Sequence, residues 1–125
     1  MANIPLIDPA HATPAAKTVL DTVKRSFGGV PNIFKAMANS PAALEAYLGF
    51  AGGLGKGGLD RKLREHIALA VAGINACTYC ASAHAAVGKG LGIGDAEAKD
   101  NLLGKSADAK VAAALAFARA LVTKR

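Results

Sequence analysis

The sequence predicts an all-α protein built as a single domain. Its 125 residues fit one ordinary domain, and a hydrophobic fraction of 52% is sufficient for one core. The apolar residues are mostly alanine, leucine and valine, with no Trp and few other aromatic residues, a composition that favours packed helices over an aromatic-rich sandwich. Helix-capping residues and apolar positions at helical spacing recur along the chain. We therefore expect residues 1–125 to form one helical domain.

The chain is expected to begin with an extended arm over residues 1–13. Its closely spaced prolines remove backbone donors and disfavour helical geometry in the residues that precede them. Thr13 then offers an N-cap, and Pro14 suits the first position of a helix. This first helix should end at Gly28-Gly29, because glycine is a frequent terminator.

A short helix is expected next, from about Pro31 to Ala38. Ser40 followed by Pro41 repeats the pattern of a cap and a proline, and it predicts a third helix. Residues 52–58 contain five glycines among seven residues, which makes a helix there costly, so we expect a mobile loop. This loop lacks the Gly-Lys-Ser/Thr ending of a phosphate-binding P-loop.

The second half of the chain should contain the central helix, with Asp60 as its N-cap and its end near Gly73. Apolar residues on all sides of its second half predict that this half is buried. Asn75 is a favourable N-cap for a following helix over about residues 76–90. Glycines in the segment GKGLGIG should terminate that helix.

Two more helices complete the prediction. Asp95 opens a short one that reaches Leu103, and Ser106 caps a last one with apolar residues at helical spacing. The last helix runs to Arg125 without a terminating Gly or Pro. Either the chain ends in a helix, or a natural C-terminal portion is missing from this sequence.

The net charge of +6 raises the question of a nucleic-acid partner. The basic residues are scattered, and no basic stripe has interleaved aromatic residues, so we expect no nucleic-acid role. No apolar run approaches the ~18 residues that a membrane span needs. The first residues lack the charged start of a secretion signal, and two cysteines three positions apart cannot close a long loop. These observations predict a cytoplasmic protein.

The residues with obvious reactive chemistry lie between Glu65 and His84. Cys77 and Cys80 form a C-x-x-C, and His84 follows four residues later. With Asn75 as the cap, Cys77 is expected in the first helical turn and Cys80 one turn later on the same face, within reach of a disulfide. The pair can therefore alternate between dithiol and disulfide.

Either sulfur could be the nucleophile. The amides and dipole of a helix N-terminus favour a thiolate at Cys77. His84, however, is at i+4 from Cys80 and can exchange a proton with that thiol. The residues alone leave the choice open. Glu65 would act as a base, or orient His84, if its helix folds back against this face.

Other interpretations use the same four side chains. Cysteines in an alanine-rich helix can be small core residues, and the four groups also equal the number of ligands around zinc. Structural zinc sites usually bring two separated ligand pairs, whereas three of these candidates crowd one helix. A non-enzymatic zinc-binding or redox-sensing module is the alternative to an enzyme. His11 and His66 belong to no constellation, and we expect them to be structural or exposed.

The joint pattern of Glu, eleven residues, C-x-x-C, three residues and His resembles the alkylhydroperoxidase D branch of the carboxymuconolactone decarboxylase family. The similarity is specific over about residues 59–92 and weaker over the earlier helices. It implies an AhpD-like helical subunit with the C-x-x-C at the N-terminus of a central helix, assembled as a homotrimer or homohexamer. It also implies a peroxidase that reduces hydroperoxides with its own dithiol, without cofactor or metal. A dithiol partner, such as a lipoyl protein, would restore the thiols.

The resemblance also implies roles for single residues. Cys80 would be the peroxidatic cysteine, Cys77 the resolving one, and His84 with Glu65 the proton relay. The best-known members carry a histidine directly before the second cysteine, where this chain has Tyr79. A phenol handles protons less well near neutral pH, so Tyr79 is a candidate modulator of activity or substrate choice. The decarboxylase branch typically lacks the cysteine pair, which ranks carboxymuconolactone decarboxylase-like activity lower.

Overall fold

The computed structural model describes residues 3–124, and the regular structure in that range consists of helices without any strand. The helices are α1 (Pro14–Phe27), α2 (Asn32–Met37), α3 (Pro41–Leu54), α4 (Arg61–Ile74), α5 (Thr78–Gly90), α6 (Asp95–Leu102) and α7 (Ala109–Thr123). The predicted all-α class is confirmed. Within the described range, no helix has the length and apolar character needed to cross a membrane.

The contacts divide the chain into two compact units. The first unit, Met1–Lys56, contains α1 to α3, and the second unit, Gly57–Arg125, contains α4 to α7. The single domain expected over residues 1–125 stays a prediction.

The first unit has a core contributed by all three of its helices. Its buried side chains are Ala16, Leu20, Val23, Phe34, Ala38 and Leu44. The predicted caps are present: Thr13 Oγ1 accepts a hydrogen bond from the Ala16 N–H, and Ser40 Oγ accepts one from the Ala43 N–H. Gly28 ends α1 with a φ of 74°, a left-handed conformation that glycine adopts without steric cost.

The segment before α1 has no regular secondary structure from residue 3 to Thr13. Two hydrogen bonds hold it in the first unit. The Ile7 N–H donates to the Lys35 carbonyl at 3.1 Å, and Asn39 Nδ2 donates to the Pro5 carbonyl at 2.7 Å. The first two residues of the predicted arm lie outside the described range.

The glycine-rich segment is more helical than predicted. Helix α3 continues through Gly52 and Gly53 to Leu54, and the Gly55 N–H still donates to the Ala51 carbonyl at 2.9 Å. Each glycine costs about 1 kcal/mol relative to alanine in a helix, and here the continuing backbone hydrogen bonds offset that cost. The predicted start of the loop at residue 52 was therefore wrong.

Helix α4 is the central element of the second unit, since it packs against α5, α6 and α7. Asp60 caps it as predicted, with Oδ1 accepting a hydrogen bond from the Leu63 N–H at 2.9 Å. That bond lowers the pKa of the Asp60 carboxyl. In its second half Leu69, Ala70 and Ala72 are buried, and the other residues from 67 to 74 are half-buried. The burial on all sides that was expected for this half is therefore only partly present.

Helices α4 and α6 approach each other closely at Gly73. A Cβ atom added to Gly73 would collide with the backbone carbonyl of Leu102. Only the absence of a side chain allows this packing, so Gly73 is required by the contact with α6.

The N-cap of the last helix differs from the prediction. Helix α7 begins after Asp108, whose Oδ1 accepts a hydrogen bond from the Val111 N–H at 3.0 Å. Ser106 instead accepts a hydrogen bond from the Asp108 N–H at 3.2 Å. The expectation of Ser106 as the cap was wrong, because its hydroxyl bonds within the turn and the carboxylate two residues later reaches the helix amides.

Candidate active site

A tight reversal of the chain joins α4 to α5 and brings the C-x-x-C against the end of α4. Asn75 is the C-cap of α4, and its N–H donates to the Val71 carbonyl at 3.0 Å. Ala76 then adopts a φ of 49°, an uncommon conformation for a residue with a Cβ. The Cys77 N–H donates to the Ala72 carbonyl at 3.0 Å, so the reversal is anchored on α4.

The N-cap of α5 is Cys77, which corrects the prediction of Asn75. The Cys77 Sγ accepts a hydrogen bond from the Cys80 N–H at 3.2 Å. The reason for the difference is Ala76, because its left-handed backbone breaks the helical path between Asn75 and the start of α5. Cys77 therefore lies just before the first turn instead of inside it, with its sulfur directed at the helix amides.

Cys77 and Cys80 are joined by a disulfide, with their Cα atoms 5.3 Å apart. This separation lies within the usual range for a disulfide. One cap residue and one first-turn residue of the same helix thus supply both sulfurs.

Glu65 and His84 form the contact that the sequence left open. Glu65 Oε2, on α4, lies 2.8 Å from His84 Nδ1, on α5. The Glu65 side chain is 15% exposed and that of His84 is 40% exposed, so the carboxylate is shielded while the imidazole reaches solvent. An Nδ1–H that donates to Glu65 leaves Nε2 free to accept a proton, which is the arrangement of an oriented base.

An open cleft of about 310 Å³ adjoins this pair of helices. Its lining residues are Arg64, Ile67, Ala68, Val71, Ala72 and Asn75 from the α4 side and Cys80 and His84 from α5. The floor is mainly aliphatic. Cys77 and Glu65 are absent from the lining, so Cys80 and His84 are the two candidate residues that border the cleft.

Tyr79 is an exposed residue that does not belong to the cleft. The residue is 56% exposed, and the lining of the cleft does not include it. The role of Tyr79 as a modulator stays a prediction.

His66 is buried, although it follows Glu65 directly. Its Nδ1 lies 2.6 Å from Asn101 Oδ1, and Asn101 Nδ2 donates to the Lys105 carbonyl at 3.0 Å. His66 is therefore structural, one of the two outcomes expected for it. The partner residue Asn101 could not be predicted, since a polar residue in a short helix gives no signal that it is fully buried.

A second, smaller pocket of about 220 Å³ lies beside His66, with Asp60, Glu97 and Asp108 among its lining residues. Asp60 and Asp108 are the N-caps of α4 and α7, and backbone N–H donors lower the pKa of both carboxyls. His66 Nε2 lies 3.8 Å from Glu97 Oε1. The polar groups of this pocket are thus largely engaged in holding helices.

Metal-ligand chemistry was the main competing interpretation of the site. Across the described part of the chain, no three side chains of His, Cys, Asp or Glu are grouped so that they can hold a metal ion. His11, the remaining histidine, is exposed and pairs with Asp8 at 3.1 Å.

Comparison with known proteins identifies the family of this chain. The sequence profile of the carboxymuconolactone decarboxylase family matches residues 41–123, about two thirds of the chain, including all four candidate residues. The chain belongs to the carboxymuconolactone decarboxylase family. A comparison with curated protein sequences gives no significant match.

Solved structures place this carboxymuconolactone decarboxylase family member beside alkylhydroperoxidase cores. The alkylhydroperoxidase AhpD core of Rhodospirillum rubrum ATCC 11170 is 33% identical with a TM-score of 0.72, over 99% of this chain and 90% of that one. An AhpD core described as an uncharacterized peroxidase-related protein of Ralstonia eutropha JMP134 is 26% identical with a TM-score of 0.80, over 95% and 65%. An uncharacterized peroxidase-related protein of Silicibacter sp. TM1040 is 27% identical with a TM-score of 0.78, over 98% and 68%. The predicted AhpD-like fold is confirmed.

Proposed function

We propose that this protein is a thiol-dependent peroxidase that reduces hydroperoxides through a Cys77–Cys80 dithiol/disulfide cycle. The observation that carries the proposal is the 2.8 Å contact of Glu65 with His84 beside the cleft that Cys80 lines. This arrangement brings together an oxidisable sulfur, a second sulfur bonded to it and an oriented base beside an open cleft. Kinship with alkylhydroperoxidase cores adds support.

The first step is attack of the Cys80 thiolate on the terminal oxygen of the hydroperoxide. His84 Nε2 accepts the thiol proton, and Glu65 stabilises the resulting imidazolium through Nδ1. The S–O bond forms while the O–O bond breaks, and His84 returns the proton to the departing alkoxide to give an alcohol. Cys80 becomes a sulfenic acid, oxidised by two electrons. Contact of Cys80 with the cleft supports its assignment as the attacking sulfur.

The second step resolves the sulfenic acid. The Cys77 thiolate attacks the Cys80 sulfur, the S–S bond forms and the S–O bond breaks, and the hydroxyl leaves as water with the Cys77 proton. One hydroperoxide and two thiols thus give an alcohol, water and the disulfide. The Cys80 N–H near the Cys77 sulfur, 3.2 Å away, favours the thiolate form of Cys77.

A dithiol from outside the protein completes the cycle by thiol–disulfide exchange with Cys77–Cys80. We propose a lipoyl-type dithiol for this role, a homotrimeric or homohexameric assembly and an antioxidant role in the cytoplasm. These further proposals rest on the resemblance to alkylhydroperoxidase D. Sedimentation analysis tests the assembly, and turnover with dihydrolipoamide against monothiols tests the reductant.

The central experiment uses reduced protein and a small neutral hydroperoxide. Titration of free thiols should show the loss of two thiols per chain, and dithiothreitol should sustain turnover. Cys80→Ser should abolish turnover. Cys77→Ser keeps an oxygen acceptor for the α5 cap, and it should form a Cys80 sulfenic acid that dimedone traps without forming the disulfide.

The matched control is Ser82→Ala, an exposed position on the same helix, which should keep wild-type turnover. Full turnover by Cys80→Ser would show that the attacking sulfur is assigned wrongly. Stoichiometric zinc in the purified protein, lost on substitution of either cysteine, would favour the zinc-binding alternative instead.

A further inference from the structure

Arg64 gives the cleft beside Cys80 a positive charge at one end. It is the permanently charged side chain among the described lining residues, and it is half-buried. Within residues 57–124, no carboxylate lies in ion-pair distance of its guanidinium. An arginine at the edge of an aliphatic cleft, without an internal partner, is available to an anionic group of a ligand.

The course of the two helices fixes the position of this charge relative to the reacting sulfur. Helix α5 runs back along α4. The Cys77 N–H donates to the Ala72 carbonyl near the reversal, and His84 contacts Glu65, the neighbour of Arg64, further along. Cys80 is one turn before His84, about 6 Å along the helix axis. A ligand that reaches from Arg64 to Cys80 therefore passes His84 and lies on aliphatic side chains.

We propose that Arg64 binds a carboxylate on the substrate, and that the preferred substrates are hydroperoxides of apolar carboxylic acids. This inference rests on the proposed peroxidase function and adds the substrate class. The aliphatic floor contacts the hydrocarbon part, Arg64 contacts the acid, and the hydroperoxide lies at Cys80. The volume of about 310 Å³ is at the lower end for ligand pockets, which favours short and medium chains.

The test compares each hydroperoxy acid with its own methyl ester, with the neutral dithiothreitol as reductant so that only the peroxide changes charge. A hydrogen bond between two charged groups is stronger than one between neutral groups, and partial exposure of Arg64 reduces its contribution to binding. We expect wild-type kcat/KM to favour the acid by about tenfold. Raising the salt concentration should diminish that ratio.

Arg64→Met should lower kcat/KM for the acid until the acid-to-ester ratio is close to one, and Arg64→Lys should restore part of the preference. Arg61→Met is the matched control, because Arg61 is exposed in the first turn of the same helix. It should keep the wild-type ratio. Circular dichroism of each variant checks that the fold is retained.

A second measurement does not depend on turnover. A medium-chain carboxylic acid without a peroxide group should protect reduced Cys80 from iodoacetamide, with the modified peptide identified by mass spectrometry. Its methyl ester should protect less, and Arg64→Met should remove the difference between the two.

The outcomes separate the two levels of the proposal. The role of Arg64 is overturned if the wild type reduces neutral hydroperoxides without preferring the acid, or if Arg64→Met retains the preference. Either result leaves the peroxidase function standing. Failure of the wild type to reduce any hydroperoxide overturns the peroxidase and, with it, the substrate class. Charge-dependent protection of Cys80 in that case would identify Arg64 as part of an acid-binding site with another chemistry.

Discussion

Replacing Gly73 by alanine should destabilise the second unit, although the same change stabilises most helix interiors. Alanine is about 1 kcal/mol more favourable than glycine in a helix. At Gly73, however, the new Cβ would overlap the Leu102 carbonyl and lie 3.1 Å from the Leu102 Cα. Carbon atoms in contact are usually about 3.5–4.0 Å apart. The obstacle is backbone, so α6 must move away from α4 as a whole.

The size of the effect follows from that movement. Overpacking of this kind costs about 1–3 kcal/mol. Displacing α6 also stretches the His66–Asn101 hydrogen bond of 2.6 Å, with a loss of about 1 kcal/mol. The gain in helix propensity offsets about 1 kcal/mol. The free energy of unfolding should therefore fall by about 1–3 kcal/mol, with a drop in Tm of roughly 5 °C for each kcal/mol in a unit of this size.

The assay is urea denaturation of three glycine-to-alanine variants followed by circular dichroism. Gly49 in α3 and Gly90 at the end of α5 have no atom within 4 Å of an added Cβ, so alanine there should raise stability by about 0.4–1 kcal/mol. Gly90 also lies in the same unit as Gly73. A midpoint for Gly73→Ala that rises together with that of Gly90→Ala would refute the close packing of α4 on α6.

Two further predictions concern a positioning residue and an N-cap. Glu65→Gln should lower kcat/KM for hydroperoxide about tenfold, since a charge-assisted hydrogen bond to a partly exposed partner contributes roughly 1–2 kcal/mol. The effect should nearly vanish in a His84→Asn background, and additive losses in that double-mutant cycle would contradict a relay. Asp60 has a pKa held below its ordinary 3.8, chiefly by the Leu63 N–H. Its contribution to stability is therefore present above pH 4 or so and is lost as the pH falls through the lowered pKa. Unfolding midpoints measured between pH 7 and pH 2.5 should fall less in Asp60→Asn than in the wild type, and equal slopes would refute the linkage.

The helices that the sequence predicted well are those with local signals. Thr13 and Asp60 are caps whose partners lie within three residues, so their effect needs no tertiary information. The failures also have local causes. Ser106 and Asp108 are both good caps, and only the backbone path of the turn decides between them. Asn75 is not the N-cap of α5 because Ala76, which follows it, adopts a left-handed conformation that no propensity scale favours for alanine.

The candidate site was predictable as a set of residues and not as a geometry. The spacing of the cysteines and His84 on one helix follows from helical periodicity. The contact of Glu65 with His84 spans nineteen residues and depends on the direction of the chain after α4. The choice of Cys80 over Cys77 at the cleft depends on the same reversal, which moved Cys77 out of the helix. The cleft, and the place of Arg64 at its edge, could be recognised only from the packing of the helices.

The separation between Glu65 and His84 in the sequence has a physical basis in this reversal. Ala72 lies seven residues after Glu65, and His84 lies seven residues after Cys77, whose N–H bonds to Ala72. The two segments, residues 65–72 and 77–84, are therefore equal in length, and each rises about 10.5 Å along its helix. Their far ends, Glu65 and His84, lie side by side for this reason. One residue inserted into either segment would rotate Glu65 or His84 by about 100° about its helix axis and shift it by about 1.5 Å. The carboxylate and the imidazole would then no longer face each other, so the contact between Glu65 and His84 requires this length in both helical segments.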